Sequence, residues 1–446
     1  MDRTIDAKLV TWKRSADRKP LLIFGARQVG KTYALERFGQ RQFDSYVHLD
    51  FSRNAEAKSF FEGSLEPARI IAAIESHQRR TIAPEKTLLI FDEVQLCERA
   101  LTSLKYFCED APEYCVTAAG SLLGVKLREQ GSFPVGKVAM ATLHPMSFEE
   151  YLWARGERRL GSLVEECMER FEPCPLHERG LELLREYLLV GGMPDVVRRF
   201  TGKEPVGVME AYAAAREAQL EIDQAYVADI AKHAPSAEVP RILDVWRSIP
   251  GQLAKENHKF QYKAVSSGGR AAQYGNAVSW LSAAAIVSKC TRVSEPLAPL
   301  NAFVEEEAFK LYRADTGLLA ASYEALPEDV LPRNDKGARF RGGLVENYVM
   351  QQLNAADVSP HYWGIPSKAE VDFVARDEQG DIIPIEVKPG ANVRSNSLEA
   401  YRKKYDPPYV ARLSTRNFGQ ERFVKSIPLY AACFFAKKFI RSPAYV

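Results

Sequence analysis

The sequence has few of the features that mark several common classes of protein. Its seven cysteines include no Cys-x-x-Cys pair and its seven histidines are scattered, so a structural zinc site is not expected. No apolar run approaches the roughly 18 residues of a membrane span, and the first residues lack the apolar segment of a signal peptide. A net charge of +2 gives no overall attraction for nucleic acid, so any such surface must be local.

These absences favour a globular protein of the cytoplasm, with no membrane partner. Several cysteines lie in apolar stretches, which is typical of reduced thiols. Hydrophobic residues make up 46% of the chain and charged residues 26%, which are ordinary fractions for a folded protein. A chain of 446 residues exceeds one typical domain and predicts about two to four.

The most informative segment is residues 25–32, which read Gly-Ala-Arg-Gln-Val-Gly-Lys-Thr and have the spacing of a phosphate-binding loop. In such a loop the backbone amides surround phosphate oxygens, Lys31 reaches the terminal phosphates and the Thr32 hydroxyl binds Mg²⁺. The apolar run before it predicts a buried parallel strand, and the residues after it predict a helix that Gly39 ends. The predicted nucleotide-binding residues are Gly25, Ala26, Arg27, Gln28, Val29, Gly30, Lys31 and Thr32.

Two further predicted strands supply the other half of a nucleotide site. The apolar run 88–91 ends in Asp92 and Glu93, which should face the ligand crevice at the carboxyl edge of a parallel sheet. Asp92 is predicted to hold Mg²⁺ with Thr32, and Glu93 to orient and polarise the attacking water. The run 114–119 ends in Gly-Ser, so Ser121 could contact the γ-phosphate or the water, although this pair is also common in plain turns.

Together these motifs resemble the AAA-type ATPase superfamily, and more narrowly its prokaryotic branch near the STAND and archaeal-ATPase families. The resemblance is carried by residues 24–32, 91–95, 119–121, 143–152 and 190–194. It implies ATP and Mg²⁺ as ligands, a lid in which Pro194 packs near the adenine, and a tendency to form homo-oligomers. Without this resemblance, the segment Gly191-Gly192-Met193-Pro194 indicates only a loop between two helical segments.

The chain departs from this family at one position. Relatives often have Gly-Arg just before the last strand of the core, where this sequence has Gly136-Lys137. Lysine is a less directional partner for phosphate than arginine. Which residue, if any, acts as an arginine finger therefore stays open; Arg128, Arg198 and Arg199 are candidates, and the alternative is that each is an ordinary surface arginine.

The middle of the chain predicts helices followed by a two-stranded ribbon. Residues 241–249 and 277–287 have helical apolar periodicity, and residues 286–293 and 309–312 read as strands. Helices followed by a ribbon suggest a winged helix, which by resemblance follows the lid in this ATPase branch and often binds DNA. The alternative is a module that only packs against the ATPase and relays its nucleotide state.

Near the C-terminus a predicted helix and hairpin bring acidic residues together. Residues 343–353 predict an amphipathic helix that carries Glu346. Strands at 370–374 and 383–388 bring Asp372 close to Glu386, and Lys388 shares a strand face with Glu386. Such a cluster, with the Val387 carbonyl, can hold a divalent metal and promote hydrolysis of a phosphodiester.

This second pattern resembles the PD-(D/E)xK nuclease superfamily. The resemblance implies Asp372 and Glu386 as ligands of a second Mg²⁺ or a Mn²⁺, Lys388 as the residue that orients or deprotonates water, and Glu346 as a further catalytic residue. Residues 381–446 contain twelve Lys and Arg and five Asp and Glu, a local net charge of +7 that suits a phosphate backbone. Alternating Glu and Lys is also common on solvated strands, and a fold can be reused without its chemistry.

The sequence thus predicts an α/β protein, with a parallel-sheet P-loop NTPase, a helical lid, a winged-helix domain and a restriction-endonuclease-like C-terminal domain. The predicted bounds are 1–185, 186–235, 236–325 and 335–446. The leading hypothesis is an Mg-dependent ATPase that couples hydrolysis to DNA binding or processing, with metal-dependent cleavage as a further activity of the last domain. The alternatives are a STAND-like nucleotide switch with an inactive C-terminal binding module, and an ATPase whose partner is a protein.

Overall fold

The computed structural model describes residues 1–54, 56–125, 136–203, 206–255, 258–330, 338–365, 368–390 and 396–441. Within these ranges the chain forms two compact units, the first mainly Asp2–Leu143 and the second mainly His144–Ser282 and Ile286–Pro443. None of the helices in the same ranges combines the length and apolar character needed to cross a bilayer.

The first unit contains a five-stranded parallel sheet with the order β2-β3-β4-β1-β5. The strands are β1 (Leu21–Phe24), β2 (Ser45–Asp50), β3 (Thr87–Asp92), β4 (Cys115–Ala119) and β5 (Ala139–Thr142). The helices are Ile5–Arg14, Lys31–Gln42, Glu56–Ser59, Pro67–Gln78 and Glu98–Asp110. Every residue of β1, β3 and β4 is buried, as in a sheet covered on both faces. The predicted α/β core with its parallel sheet is confirmed.

The strand order positions the candidate site of this unit. Because β4 pairs with both β1 and β3, the segments that follow these three strands emerge side by side at one edge of the sheet. The phosphate-binding loop follows β1, the acids Asp92 and Glu93 end and follow β3, and Ser121 follows β4. A parallel sheet therefore gathers motifs that lie far apart in the sequence.

The helix after the loop is longer than the prediction. It begins at Lys31, directly after Gly30, and continues to Gln42 through Gly39, which was expected to end it. Gly39 instead permits close packing, because a Cβ at this position would lie 2.9 Å from the Cβ of Tyr46. The prediction that Gly39 stops the helix was wrong for this steric reason.

The second unit contains an eight-stranded mixed sheet with the order β12-β13-β11-β10-β9-β8-β6-β7. The strands are β6 (Val287–Val293), β7 (Val304–Arg313), β8 (His361–Ile365), β9 (Ala369–Arg376), β10 (Ile382–Val387), β11 (Val410–Ser414), β12 (Gly419–Glu421) and β13 (Val424–Pro428). The helices beyond the first unit's sheet are Phe148–Ala154, Arg158–Arg170, His177–Val190, Pro194–Lys203, Val208–His233, Val239–Leu253, Tyr262–Val265, Ala271–Ala283, Thr316–Ser322, Ala338–Ala355, Asn396–Tyr405 and Ala432–Ala436.

The two-stranded ribbon predicted in the middle of the chain is one edge of this larger sheet. Strands β6 and β7 pair in antiparallel fashion, and β6 also pairs in parallel with β8 at Arg292 with Tyr362 and Val293 with Trp363. Residues assigned to the third and fourth predicted domains therefore share one sheet. The winged-helix and nuclease-like folds, and the four domain bounds, stay predictions.

The predicted C-terminal hairpin is present. Strands β9 and β10 are antiparallel, with Ile382 opposite Arg376 and Ile385 opposite Phe373. Strand β10 ends at Val387, so Lys388 follows it directly. The helix predicted at 343–353 extends over Ala338–Ala355. This arrangement carries the candidate residues of the second unit.

Candidate functional site

The phosphate-binding loop has a backbone that its two glycines make possible. Gly25 has φ +140° and Gly30 has φ +91°, both in the region that favours glycine. A Cβ on Gly25 would also lie 2.2 Å from the carbonyl oxygen of Leu143, so no other residue fits there without displacement. The loop side chains of Arg27 and Gln28 are exposed, whereas Val29 is buried.

Lys31 lies inside this loop rather than in solvent. Its Nζ donates hydrogen bonds of 2.8 Å to the carbonyl oxygens of both Gly25 and Ala26, and the residue is 7% exposed. Burial lowers the pKa of Lys31 to about 8, although the carboxylates of Glu93 and Asp92 act in the opposite direction. A buried ammonium whose acceptors are two neutral carbonyl oxygens would be stabilised by an added anion, such as a phosphate group.

Asp92 and Thr32 come together as a pair suited to Mg²⁺. The Thr32 hydroxyl donates to Asp92 Oδ2 at 2.6 Å. Burial would raise the pKa of Asp92, but hydrogen bonds with His48 and Thr32 hold it below its usual range. Hydroxyl and carboxylate oxygens are the ligands that Mg²⁺ prefers, so these residues fit the ion that the loop implies.

His48 is a site residue that the sequence does not indicate. Its Nε2 lies 3.3 Å from Asp92 Oδ2, and its Nδ1 lies 3.0 Å from Glu36 Oε1. The hydrogen bond to Asp92 raises the pKa of His48. His48 reaches Asp92 because β2 pairs with β3, a neighbour relation that no local pattern reveals.

Glu93 is held in place by two neighbours. Both the Ser121 hydroxyl, at 3.1 Å, and the Gln95 side-chain amide donate to Glu93 Oε2. Glu93 itself has φ +50°, in the left-handed region, where a non-glycine residue is uncommon. A Cβ on Gly120 would lie 2.1 Å from Gln95 Oε1, so Gly120 leaves room for that amide. The structure thus gives Ser121 a partner in Glu93, and Gln95 is a further site residue that sequence reasoning missed.

Arg3 supports the loop from the N-terminal segment. Its Nη1 donates to the carbonyl oxygen of Val29 at 2.9 Å, and the residue is 6% exposed. A lone arginine near the N-terminus carries no local signal of such a role. Its contact restrains the loop backbone just before Gly30 and Lys31.

The residues predicted for the lid and for an arginine finger lie in the second unit or outside the described residues, and their roles stay predictions. Pro194 begins the helix Pro194–Lys203 in the second unit. Arg198 and Arg199 both form ion pairs with Asp195, at 2.5 and 2.9 Å, and Arg199 also pairs with Glu221. Arg128 lies outside the described residues. The identity of a finger residue stays open.

The hairpin of the second unit brings together the acids and the lysine that were predicted there. Asp372 Oδ2 accepts a hydrogen bond of 2.8 Å from the Val387 amide, so β9 places this side chain against the end of β10. Lys388 Nζ lies 2.6 Å from Glu386 Oε1, as expected for residues two apart on one strand face. Glu386 is 4% exposed.

A second lysine, which the sequence did not indicate, lies among these carboxylates. Lys310 of β7 is fully buried, and its Nζ lies 2.7 Å from Glu346 Oε1, 2.9 Å from Glu370 Oε1 and 3.7 Å from Asp372 Oδ1. We call Glu346, Glu370 and Asp372 the acid cluster. Within the described part of the chain, no group of three or more His, Cys, Asp or Glu residues is arranged to hold a metal ion. The expected second Mg²⁺ or Mn²⁺ therefore has no support from the residues described.

Glu346, expected to assist catalysis, has both of its oxygens engaged. Oε1 accepts from Lys310 and from the Tyr312 hydroxyl, and Oε2 contacts His258 Nδ1. Burial would raise the pKa of Glu346, but Lys310 and His258 hold it below its usual range. Burial and the charges of Glu346 and Glu386 raise the pKa of Asp372. The acid cluster is thus stabilised by Lys310, with Lys259 Nζ 2.8 Å from Glu370 Oε2 and His258 against Glu346.

The strand order, the loop and the acids that end β3 define the first unit as a P-loop NTPase of the AAA type. Residues 17–152 match the model of a family described as an AAA domain. Residues 181–329 match a domain of unknown function, DUF8612, and residues 341–432 match another, DUF4143. The chain therefore contains a P-loop AAA-type ATPase domain. No curated protein matches the chain.

Three solved structures are similar to larger parts of the chain. A Walker-type ATPase of Pyrococcus abyssi is 14% identical with a TM-score of 0.45, covering 72% of this chain and 95% of its own. The Orc1 protein of Aeropyrum pernix, solved in complex with DNA, is 12% identical with a TM-score of 0.30, covering 73% and 93%. Cdc6p of Pyrobaculum aerophilum is 11% identical with a TM-score of 0.26, covering 72% and 91%. All three TM-scores are below 0.5, so these similarities do not assign a function to the chain.

Proposed function

We propose that this protein binds Mg-ATP in the loop 25–32 and hydrolyses it with Glu93 as the residue that orients the attacking water. The observation that carries the proposal is the convergence of Lys31, Asp92 and Glu93 at one edge of the parallel sheet. Lys31 would exchange its bonds to the Gly25 and Ala26 carbonyls for phosphate oxygens, which replaces two neutral acceptors by charged ones. Thr32 and Asp92 would hold Mg²⁺, which neutralises charge on the phosphates.

Glu93 suits a role in positioning water because its own position is fixed. Two hydrogen bonds to Oε2, from Ser121 and Gln95, leave Oε1 as the oxygen that can accept from a water molecule. Ser121 then acts by orienting Glu93 rather than by touching the γ-phosphate. This assignment separates binding, which depends on Lys31, from turnover, which depends on Glu93.

The test compares two variants in one assay of nucleotide binding and phosphate release. Lys31→Ala should lose ATP binding and turnover together. Glu93→Gln should keep ATP affinity within about twofold and lower kcat by about 10²–10⁴-fold, the usual range for loss of a positioned acid–base group. Normal turnover in Glu93→Gln would remove Glu93 from the mechanism, and undiminished binding in Lys31→Ala would remove the loop.

For the second unit we propose nucleic acid, DNA first, as the partner whose binding is coupled to the ATPase cycle. The support is local positive charge. The last turn of the helix Asn396–Tyr405 contains three basic residues, of which Lys403 and Lys404 are exposed. Arg402 lies over the ring of Phe423 at 3.9 Å, so it is oriented by that contact. Lys403 lies 3.4 Å from Glu399 of the same helix and both side chains are exposed, whereas Lys437 is engaged by both Glu149 and Glu165 at 2.9 Å and is not counted in this surface.

Charge reversal tests this surface. The double variant Lys403→Glu/Lys404→Glu should weaken binding of a labelled DNA duplex and lower the salt slope by about two, because two phosphates are no longer neutralised by lysine. The matched control is Arg79→Glu/Arg80→Glu, which makes the same charge change at two exposed residues of the first unit. An equal weakening of binding in both variants would show a general charge effect and would contradict the assignment.

A second candidate function is a STAND-like nucleotide switch, with slow hydrolysis and a C-terminal module that binds without cutting. The Lys310 ammonium favours it, because Lys310 fills the position at the acid cluster that a catalytic metal would need. Supercoiled DNA incubated with the protein and Mg²⁺ or Mn²⁺ is then expected to stay intact. Nicking that Asp372→Asn abolishes would instead establish cleavage, and ATP turnover stimulated strongly by DNA would favour the coupled ATPase over the switch.

A further inference from the structure

The acid cluster surrounds the end of one side chain. Glu346 projects from the helix Ala338–Ala355 and Glu370 and Asp372 from β9, and all three carboxylates face Lys310 Nζ within 3.7 Å. Lys310 Nζ also lies over the ring of Tyr362, 5.2 Å from its centroid. Lys310 is fully buried, so water does not solvate its charge.

An ammonium and a divalent metal ion compete for this kind of position. Both are stabilised by several carboxylate oxygens, and a metal ion needs those oxygens at about 2.0–2.6 Å with their lone pairs free. Here the two nearest oxygens, on Glu346 and Glu370, accept from the ammonium at 2.7 and 2.9 Å. A second cation a few ångströms from a buried ammonium would be strongly repelled. Lys310 and a metal ion bound by the same oxygens of Glu346 and Glu370 therefore exclude one another.

Glu386 is a second observation from this region, because one of its carboxylate oxygens lacks both a cation and a hydrogen-bond donor among the described residues. Its Oε1 pairs with Lys388, but its Oε2 is buried and has no hydrogen-bond partner among the described residues. Glu386 is 4% exposed, and its charge acts on Asp372. A buried carboxylate oxygen without a partner is costly, and it is the kind of ligand that a metal ion would take if one could enter.

We propose that Lys310 is the resident cation of the acid cluster, and that the cluster binds a divalent metal ion only when this ammonium is removed. The wild-type acid cluster then keeps its structure without a metal ion. The inference concerns the second unit alone and does not rest on the proposed ATPase chemistry.

The experiment measures thermal stability of the full chain, without nucleotide, in EDTA and in about 1 mM Mn²⁺. Lys310→Ala should melt below wild type in EDTA, because Glu346 Oε1, Glu370 Oε1 and Asp372 Oδ1 lose the ammonium they share, although Lys259 still pairs with Glu370 Oε2 and His258 still contacts Glu346 Oε2. Mn²⁺ should raise the Tm of this variant by about 5 °C. Wild type and Lys310→Arg, which keep a cation at this position, should show no such shift. Any contribution of Asp92 is common to all variants and cancels in the comparison.

Two further variants locate the metal. Lys310→Ala/Glu370→Gln, which removes one ligand, should lose most of the Mn²⁺-dependent shift. Asp372→Asn in the wild-type background should leave Mn²⁺ binding unchanged, because the wild-type cluster holds no metal. The proposal is overturned if wild type binds Mn²⁺ in a way that Asp372→Asn abolishes. It is also overturned if Lys310→Ala gains no Mn²⁺-dependent stabilisation, including the case in which this variant does not fold at any Mn²⁺ concentration.

Discussion

The buried position of Lys31 predicts that ATP affinity depends on pH in an unusual range. In the free site the pKa of Lys31 is about 8, lowered by burial. Phosphate oxygens favour the ammonium form, so binding must raise that pKa again. The affinity for ATP should therefore be highest below about pH 8 and fall as the pH rises through that value, because the neutral amine has to be protonated before it pairs with phosphate.

The size of the effect follows from this pKa. If only the ammonium form binds, the apparent Kd is multiplied by 1 + 10^(pH − pKa), which gives an increase of about eightfold between pH 7.5 and pH 9.0. An unperturbed lysine, with a pKa near 10.4, would change the Kd by less than about 5% over the same interval. The two cases are easily separated by titration calorimetry or by a fluorescent ATP analogue.

Two controls isolate Lys31 from its neighbours. Titrations in EDTA remove Mg²⁺, so that the protonation of Asp92 and His48 does not enter through the metal. Lys31→Arg keeps a cation throughout this range, since an arginine stays protonated to about pH 12, and any binding it retains should not vary with pH. A wild-type Kd that is constant between pH 7.5 and pH 9.0 would refute the reasoning about the buried lysine.

Three other predictions concern single positions. Ser121→Ala should lower kcat about tenfold with an unchanged ATP Kd, because it removes one hydrogen bond to Glu93; a raised Kd with normal kcat would indicate direct nucleotide contact instead. Gly25→Ala should lower the free energy of unfolding by about 3 kcal/mol or more, since its Cβ would lie 2.2 Å from a backbone carbonyl oxygen. In the control Gly251→Ala the new Cβ would meet no neighbouring atom within 4 Å, so the free energy of unfolding measured by denaturant titration should change by less than about 1 kcal/mol. Burial raises the pKa of Asp315 to about 6, so the stability that its protonated form contributes is present below about pH 4 and is lost as the pH rises through 6. Between pH 4 and pH 6 the wild-type Tm should therefore fall by the equivalent of about 3 kcal/mol more than the Tm of Asp315→Asn. The same dependence of Tm on pH in both proteins would contradict the burial of this carboxyl group.

The residues of the candidate nucleotide site could be identified largely from sequence because their pattern is local. The loop residues 25–32 and the pair Asp92 and Glu93 each follow a short apolar run, and a parallel sheet brings such strand ends together whatever the loops between them. The partners of these residues could not be predicted. His48 and Arg3 reach the site through strand pairing and through packing of the N-terminal segment, which leave no pattern in the local sequence.

In the second unit, contacts between distant segments were even harder to predict from the sequence. The hairpin of β9 and β10 and the pair Glu386 and Lys388 follow from period-two spacing and a turn. The pairing of β6 with β8 could not be predicted in this way, because an alternating run of residues indicates which face of a strand is buried but not which strand lies beside it. Lys310 lies on β7, the other strand of that ribbon, and its burial among acids becomes visible only when β7, β9 and the helix carrying Glu346 are seen together.

The central claim is that the loop ending at Thr32 binds a magnesium-bound nucleoside triphosphate. Titration calorimetry of the intact wild-type chain with ATP, in the presence and absence of Mg²⁺, tests it most directly. We expect one nucleotide per chain, tighter binding with Mg²⁺, and loss of the Mg²⁺ effect in Asp92→Asn. A folded wild-type chain with no measurable affinity for ATP under either condition would contradict the claim.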